Sequence, residues 1–134
     1  MDVRALHHVA VAVDDLDEAV ERYKRLFGAE VEERGRLDDQ GVEAAYLRVG
    51  SGRVELVSAL GDDTPVGRFL ARRGPGMHHV AFEVDNVADA LRSLIGDGVN
   101  VIDTEPRRGL GGHDVSFVHP ESVQGVLVEV VSNG

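Results

Sequence analysis

The chain has 134 residues, with 24 acidic against 14 basic side chains, a formal net charge of −10 and no cysteine. That balance argues against long-range attraction to nucleic acid or anionic lipid, so an anionic ligand must be held by local contacts, and the missing cysteine excludes disulfides, thiolate metal sites and cysteine nucleophiles. The opening MDVRALHH lacks the apolar stretch of a signal peptide, and no apolar run approaches the roughly 20 residues that span a bilayer, so a soluble, cytoplasmic protein is expected.

Strand-like alternation fills Val9 to Val13, after which Asp14 or Asp15 can cap a helix with apolar positions Leu16, Ala19, Val20, Tyr23, Leu26 and Phe27, closed by Gly28. Three strand candidates follow: AEVEERGRL, VEAAYLRV and RVELVSAL, the last two joined by a GSG hairpin. The segment GDDTPVGRFLARRGPG then reads as a short linking helix, with Thr64 as cap and Pro65 in the first turn. Beyond it the order repeats. HHVAFEV is a strand, Asn86 caps a helix with Val87, Ala90, Leu91, Leu94 and Ile95 on one face, and Gly96 and Gly98 close it. VNVIDTE, HDVSFVH and GVLVEVVS are the remaining strand candidates, so each half reads β-α-β-β-β.

At a fixed offset the two halves align His8 with His79, Ala10 with Ala81, Val13 with Val84, Asp14 with Asp85 and Ala19 with Ala90. The last strand of each half also carries a glutamate inside an apolar run, Glu55 in VELVS and Glu129 in VEVVS. Strand side chains alternate between faces. His7 therefore shares a face with Val9, Val11 and Val13, which should meet the helix, and His8 shares the other with Ala10 and Ala12, where small neighbours leave room for a ligand. A glutamate between apolar neighbours is costly to bury unless a cation compensates it. Two imidazoles and two carboxylates, His8, His79, Glu55 and Glu129, form an N2O2 set suited to Co, Ni, Mn, Fe or Zn, with open positions for substrate if the geometry is octahedral. His7 and His78 are left to packing or to a supporting role behind the ligands, and His113 and His119 carry weaker signals.

These residues resemble the vicinal oxygen chelate superfamily, which includes glyoxalase I, extradiol dioxygenases, resistance proteins and methylmalonyl-CoA epimerases. HHVAVAVDDLDEAVERYKRLFGAEV, VELVSALGDDTPVGRFL, GPGMHHVAFEVDNVADAL and DTEPRRGLGGHDVSFVHPESVQGVLVEV resemble the epimerase branch in particular, over nearly the whole chain. The resemblance implies an α+β fold of two tandem βαβββ modules forming a curled mixed sheet around a metal-binding cleft. It is expected as one domain, 1–134, with modules at 5–60 and 77–132 and a linking helix at 61–76. It further implies an isomerase that interconverts (2R)- and (2S)-methylmalonyl-CoA by proton abstraction at C2, through a metal-stabilised enolate. His8, Glu55, His79 and Glu129 would be ligands of a divalent ion, cobalt ahead of nickel, manganese, zinc, iron or magnesium. Glu129 would double as an acid/base, and a homodimer is implied.

The chain departs from part of the branch at one place. Where some epimerases have a glutamate two positions after QGV, this chain has Ala44, and the nearest carboxylate is Glu43. A second acid/base is therefore sought in Glu43, if a bulge or register shift turns it inward, or in Glu55. For the coenzyme A phosphates the basic pairs are Arg107–Arg108, before GLGG, and Arg72–Arg73. Two rival readings share the fold: a glyoxalase I (lactoylglutathione lyase)-type isomerase, and a drug-binding resistance protein. Four retained ligands argue against the second, and one carboxylate too many argues against an extradiol dioxygenase.

Overall fold

The computed structural model describes residues 1–132. Among these residues three α-helices and eight strands alternate as two βαβββ runs with a helix between them, an α+β fold as expected. The first run holds β1 (Val3–Ala12), α1 (Leu16–Phe27), β2 (Glu30–Leu37), β3 (Val42–Val49) and β4 (Gly52–Ala59). After α2 (Pro65–Arg73) come β5 (Gly76–Val84), α3 (Val87–Gly96), β6 (Arg107–Arg108), β7 (Asp114–Val118) and β8 (Val128–Ser132). Among the described residues no helix is long and apolar enough to cross a membrane.

The helices begin and end where their cap chemistry dictates. The Asp15 side chain accepts from the Glu18 N–H at 3.0 Å, and Gly28 ends α1 at φ 67° with its N–H on the Lys24 carbonyl. The Thr64 hydroxyl accepts from the Gly67 N–H, with Pro65 in the first turn, and the Asn86 side chain accepts from the Asp89 N–H. Gly67 is required by packing: a Cβ there would lie 2.3 Å from the Gly61 carbonyl oxygen, so α2 sits on its preceding turn at a distance no other residue permits.

Both halves use the same sheet logic. In the first, the order is β2-β3-β4-β1, with β1 parallel to β4 and the other pairs antiparallel. In the second it is β5-β8-β7-β6, with β5 parallel to β8. The bulky faces meet the helices: Leu16 and Val20 of α1 pack with Ala45, Leu47 and Leu56, with Val11 against them, while Val87, Ala90 and Leu91 of α3 pack with Val84 and Val130. Strand alternation leaves Ala10, Ala12 and Glu55 on the opposite face in one half, and Ala81 and Glu129 in the other.

Two expectations are corrected. Leu26 and Phe27 are exposed, because the buried stripe of α1 is narrower than the apolar periodicity suggests; Phe27 rests edge-on against Tyr23. VNVIDTE is not a strand: it makes one isolated bridge, Val101 with Val118, and the paired stretch is Arg107–Arg108. Pro106 has no N–H to donate to a ladder, and Ile102 is exposed instead of facing a helix. By compactness, Met1–His8 group with the chain from His79 onward, and Val9–His78 form a second unit. An ion-pair fork from Arg4 to both carboxylate oxygens of Asp85, at 2.9 and 2.6 Å, ties the start of β1 to the entry of α3.

Candidate metal centre

His8, His79 and Glu129 come together in the unit that contains the chain from His79 onward. They arrive from three strands, β1, β5 and β8, and all are buried, at 1%, 4% and 5% exposure. The His8 and His79 Nε2 atoms are 3.2 Å apart. Glu129 places Oε1 3.5 Å from His8 Nε2 and Oε2 3.8 Å from His79 Nε2. First-row ions hold such ligands at about 2.0–2.2 Å, which makes adjacent donor atoms about 3–3.5 Å apart in octahedral or tetrahedral sites. The spacing fits a divalent cation at the centre of the three, and the donor chemistry fits as well: two imidazoles and a carboxylate, buried together, carry negative charge that an ion would compensate.

The register explains why Glu129 reaches this point. It lies opposite Phe117 on β7 and Ala81 on β5, and His79 is two residues before Ala81 on the same face. Ala81 leaves the space, and the Phe117 ring packs edge-on against His79 with centroids 5.3 Å apart. On the far side, His8 Nδ1 is 2.7 Å from His7 Nδ1, and the His7 ring also lies edge-on to His113 at 6.1 Å. His7 is itself buried. Neighbouring strand residues do leave on opposite sides, but Nδ1 is the ring nitrogen attached to Cγ, close to the backbone, and there the two rings meet.

Glu55 belongs to the other unit and is also buried, at 6% exposure. Its register matches that of Glu129: Ala10 stands beside it on β1 and Tyr46 opposite it on β3. Glu43 lies on the other face of β3, with Ala45 and Leu47, and its carboxylate is 3.5 Å from Arg34 Nε. The β3–β4 pairing is regular from Val42 to Val49, without the register shift that would turn Glu43 toward Ala44's side; the irregularity in this sheet lies in β2, between Val31 and Glu33. Ala44 is fully buried opposite Val57.

Arg107 has Asp103 as a neighbour at 3.7 Å, and Arg108 donates to the Gly112 carbonyl at 3.1 Å, across a turn in which Gly111 and Gly112 have positive φ. Arg73 stacks over Phe69. Tyr46 and Phe117 escaped the reading of the sequence, although they stand 71 residues apart, as His8 and His79 do. That shared offset is the signal that would have found them.

The chain is similar to known proteins in both sequence and fold. The chain is 41% identical to the mitochondrial methylmalonyl-CoA epimerase of Bos taurus over 126 residues, covering 93% of this chain and 72% of that protein. Its structure is similar to the methylmalonyl-CoA epimerase of Mycobacterium tuberculosis, with a TM-score of 0.94 and 34% identity over 98% of this chain and 89% of that one. It is equally similar to a variant of the Streptomyces coelicolor methylmalonyl-CoA epimerase solved in complex with 2-nitronate-propionyl-CoA, with a TM-score of 0.94 and 34% identity over 98% of each chain. With residues 7–117 matching its family description and relatives at this identity over most of their length, the chain belongs to the Glyoxalase/Bleomycin resistance protein/Dioxygenase superfamily.

Proposed function

We propose that this protein is a divalent-metal-dependent epimerase that interconverts (2R)- and (2S)-methylmalonyl-CoA by removing and returning the proton at C2. The observation that carries the reading is the buried cluster of His8, His79 and Glu129 at ligand spacing, in a chain similar to methylmalonyl-CoA epimerases. The C2 proton of a thioester is a weak acid, and its loss places negative charge on the thioester oxygen. A divalent ion, cobalt by preference, would supply positive charge to the substrate oxygens when bound. His8 and His79 hold and orient, and Glu129 takes or returns the proton on one face of C2. Glu55 serves as the fourth ligand and as acid/base for the other face, supported by its burial and by its register match with Glu129. Glu43, facing the helix side and paired with Arg34, has the weakest claim to that role.

Arg107 and Arg108 would hold the coenzyme A phosphates beside the glycine turn; replacing both should raise KM for the thioester and leave metal content unchanged. A homodimer is proposed from the likeness to the epimerase branch, and sedimentation as a monomer at micromolar concentration would refute it. A cytoplasmic location agrees with the absence of cysteine.

The test is solvent deuterium incorporation at C2 of methylmalonyl-CoA, in the untreated protein, after EDTA, and after cobalt is restored. Exchange that disappears with EDTA and returns with cobalt supports the reading. Absence of exchange in all three states, with turnover of the methylglyoxal–glutathione adduct, would replace it by the glyoxalase reading.

A further inference from the structure

We infer that His7 is a positioning residue for the metal centre: it accepts a hydrogen bond from the Nδ1–H of His8 and so fixes the tautomer and ring angle in which His8 presents Nε2 to a cation. This rests on the metal reading of His8, His79 and Glu129 above.

The argument is one of proton count. The Nε2 edge of His8 faces the cluster, 3.2 Å from His79 Nε2 and 3.5 Å from Glu129 Oε1. A nitrogen that coordinates a cation carries no hydrogen, so the proton of a neutral imidazole must sit on Nδ1. Nδ1–H of His8 then needs an acceptor, and His7 Nδ1 lies 2.7 Å away, with the rings nearly perpendicular at 74°. Two ring nitrogens at that distance share one proton between them, so His7 Nδ1 is the acceptor and its own proton is on Nε2. Metal-bound histidines commonly donate their second ring N–H to such a partner, which raises ligand basicity and holds the ring; losing the partner costs about 10–100-fold in affinity. Burial of both rings means that water is a poor substitute. The repeat supplies the contrast. His78 holds the position equivalent to His7, yet its ring packs edge-on against Phe69 at 4.9 Å. The duplicated HH pair has therefore divided its work, with a ligand at the second position of each pair and a supporting imidazole at His7.

Zinc is the probe, because it is diamagnetic. Long-range 1H–15N spectra of the zinc-loaded wild-type protein should show His8 protonated at Nδ1 and His7 at Nε2. Zinc affinity, read by competition with a chelator, should fall about 10–100-fold in His7→Phe, which keeps a buried ring without an acceptor. It should be largely recovered in His7→Asn, whose amide oxygen can accept in place of Nδ1, and be unchanged in His78→Phe. A proton on His7 Nδ1 in the loaded protein, or wild-type affinity in His7→Phe, overturns the inference while leaving the metal centre standing. Failure of the wild-type protein to bind zinc at His8 and His79 overturns the metal reading and this inference with it. If His7→Phe does not fold, the wild-type spectra decide alone.

Discussion

The two halves of the chain place an alanine, a glutamate and an aromatic ring in the same register, yet they surround them differently. Ala10, Glu55 and Tyr46 stand side by side across β1, β4 and β3, as Ala81, Glu129 and Phe117 do across β5, β8 and β7. In the second half the aromatic ring packs on a histidine, whereas Tyr46 lies under the Arg53 guanidinium at 5.6 Å. The first histidine of each HH pair differs as well, His7 against His8 and His78 against Phe69. A duplicated backbone thus preserves the positions that need exact register, and the neighbours on adjacent elements diverge. Register is hard to change, because a slip of one residue would turn every side chain to the wrong face.

The sharpest way to break the equivalence is to remove one carboxylate at a time. Glu129→Gln and Glu55→Gln should each lower kcat about 10²–10⁴-fold, the usual contribution of a positioned acid or base. Each variant should still exchange deuterium into C2 of one epimer, and the two should prefer opposite epimers, as mass spectrometry of the separated products would read. Preference for the same epimer would end the idea that the glutamates work on opposite faces. The cores allow a structural version of the same comparison. Leu56→Ala, fully buried on β4 beneath α1, and Leu91→Ala, fully buried on the sheet-facing side of α3, should each lose about 2–5 kcal/mol in denaturant unfolding. A loss under about 1 kcal/mol in either would show that its half closes over the cavity, and that the two cores are not packed alike.

His78→Ala should be milder, removing an edge-to-face contact worth about 0.5–1.5 kcal/mol while metal content stays at the wild-type level. Loss of metal would show that the HH pairs have not diverged. The smallest effect concerns charge. Burial alone would raise the Glu32 carboxyl, but hydrogen bonds from Arg53 at 3.0 Å and Arg48 at 2.7 Å outweigh it and hold the group below the ordinary glutamate value. A carboxyl lowered in the folded state contributes stability above its unfolded value, and that contribution is lost as pH falls through the folded one. Wild-type protein should therefore exceed Glu32→Gln by about 1 kcal/mol or less near neutrality, with the gap closing in acid. The exposed Arg4–Asp85 fork, between β1 and the entry of α3, lowers the Asp85 carboxyl in the same direction, through the Arg4 hydrogen bond. Asp85→Asn should show the same pH sign, and a reversed sign in either variant would mean that the fork does not persist in solution.

Much of this was legible in the chain itself. Asp15, Thr64 and Asn86 cap helices because a short polar side chain ahead of an apolar period satisfies free N–H groups, a local event that local sequence specifies. The alternation of valine and alanine after His8 likewise separated the helix-facing side of β1 from the other. VNVIDTE misled because its pattern is that of a strand, while Pro106 has no N–H to extend a ladder and the segment forms a single bridge, Val101 with Val118. Leu26 and Phe27 misled for a related reason: period alone does not say how wide a stripe the sheet can cover.

What the sequence determined by itself was the repeat, the caps, the facing of each strand and the residue types of the centre, all of which follow from periods of 2 and 3.6 and from side-chain chemistry. Only the tertiary structure decided that the ligand atoms of His8, His79 and Glu129 meet within 4.8 Å of one another, that Glu43 turns to Arg34, and that His7 and His78 part company. Those outcomes depend on which distant strands become neighbours and on which ring is within reach of which. No period along a single strand contains that information.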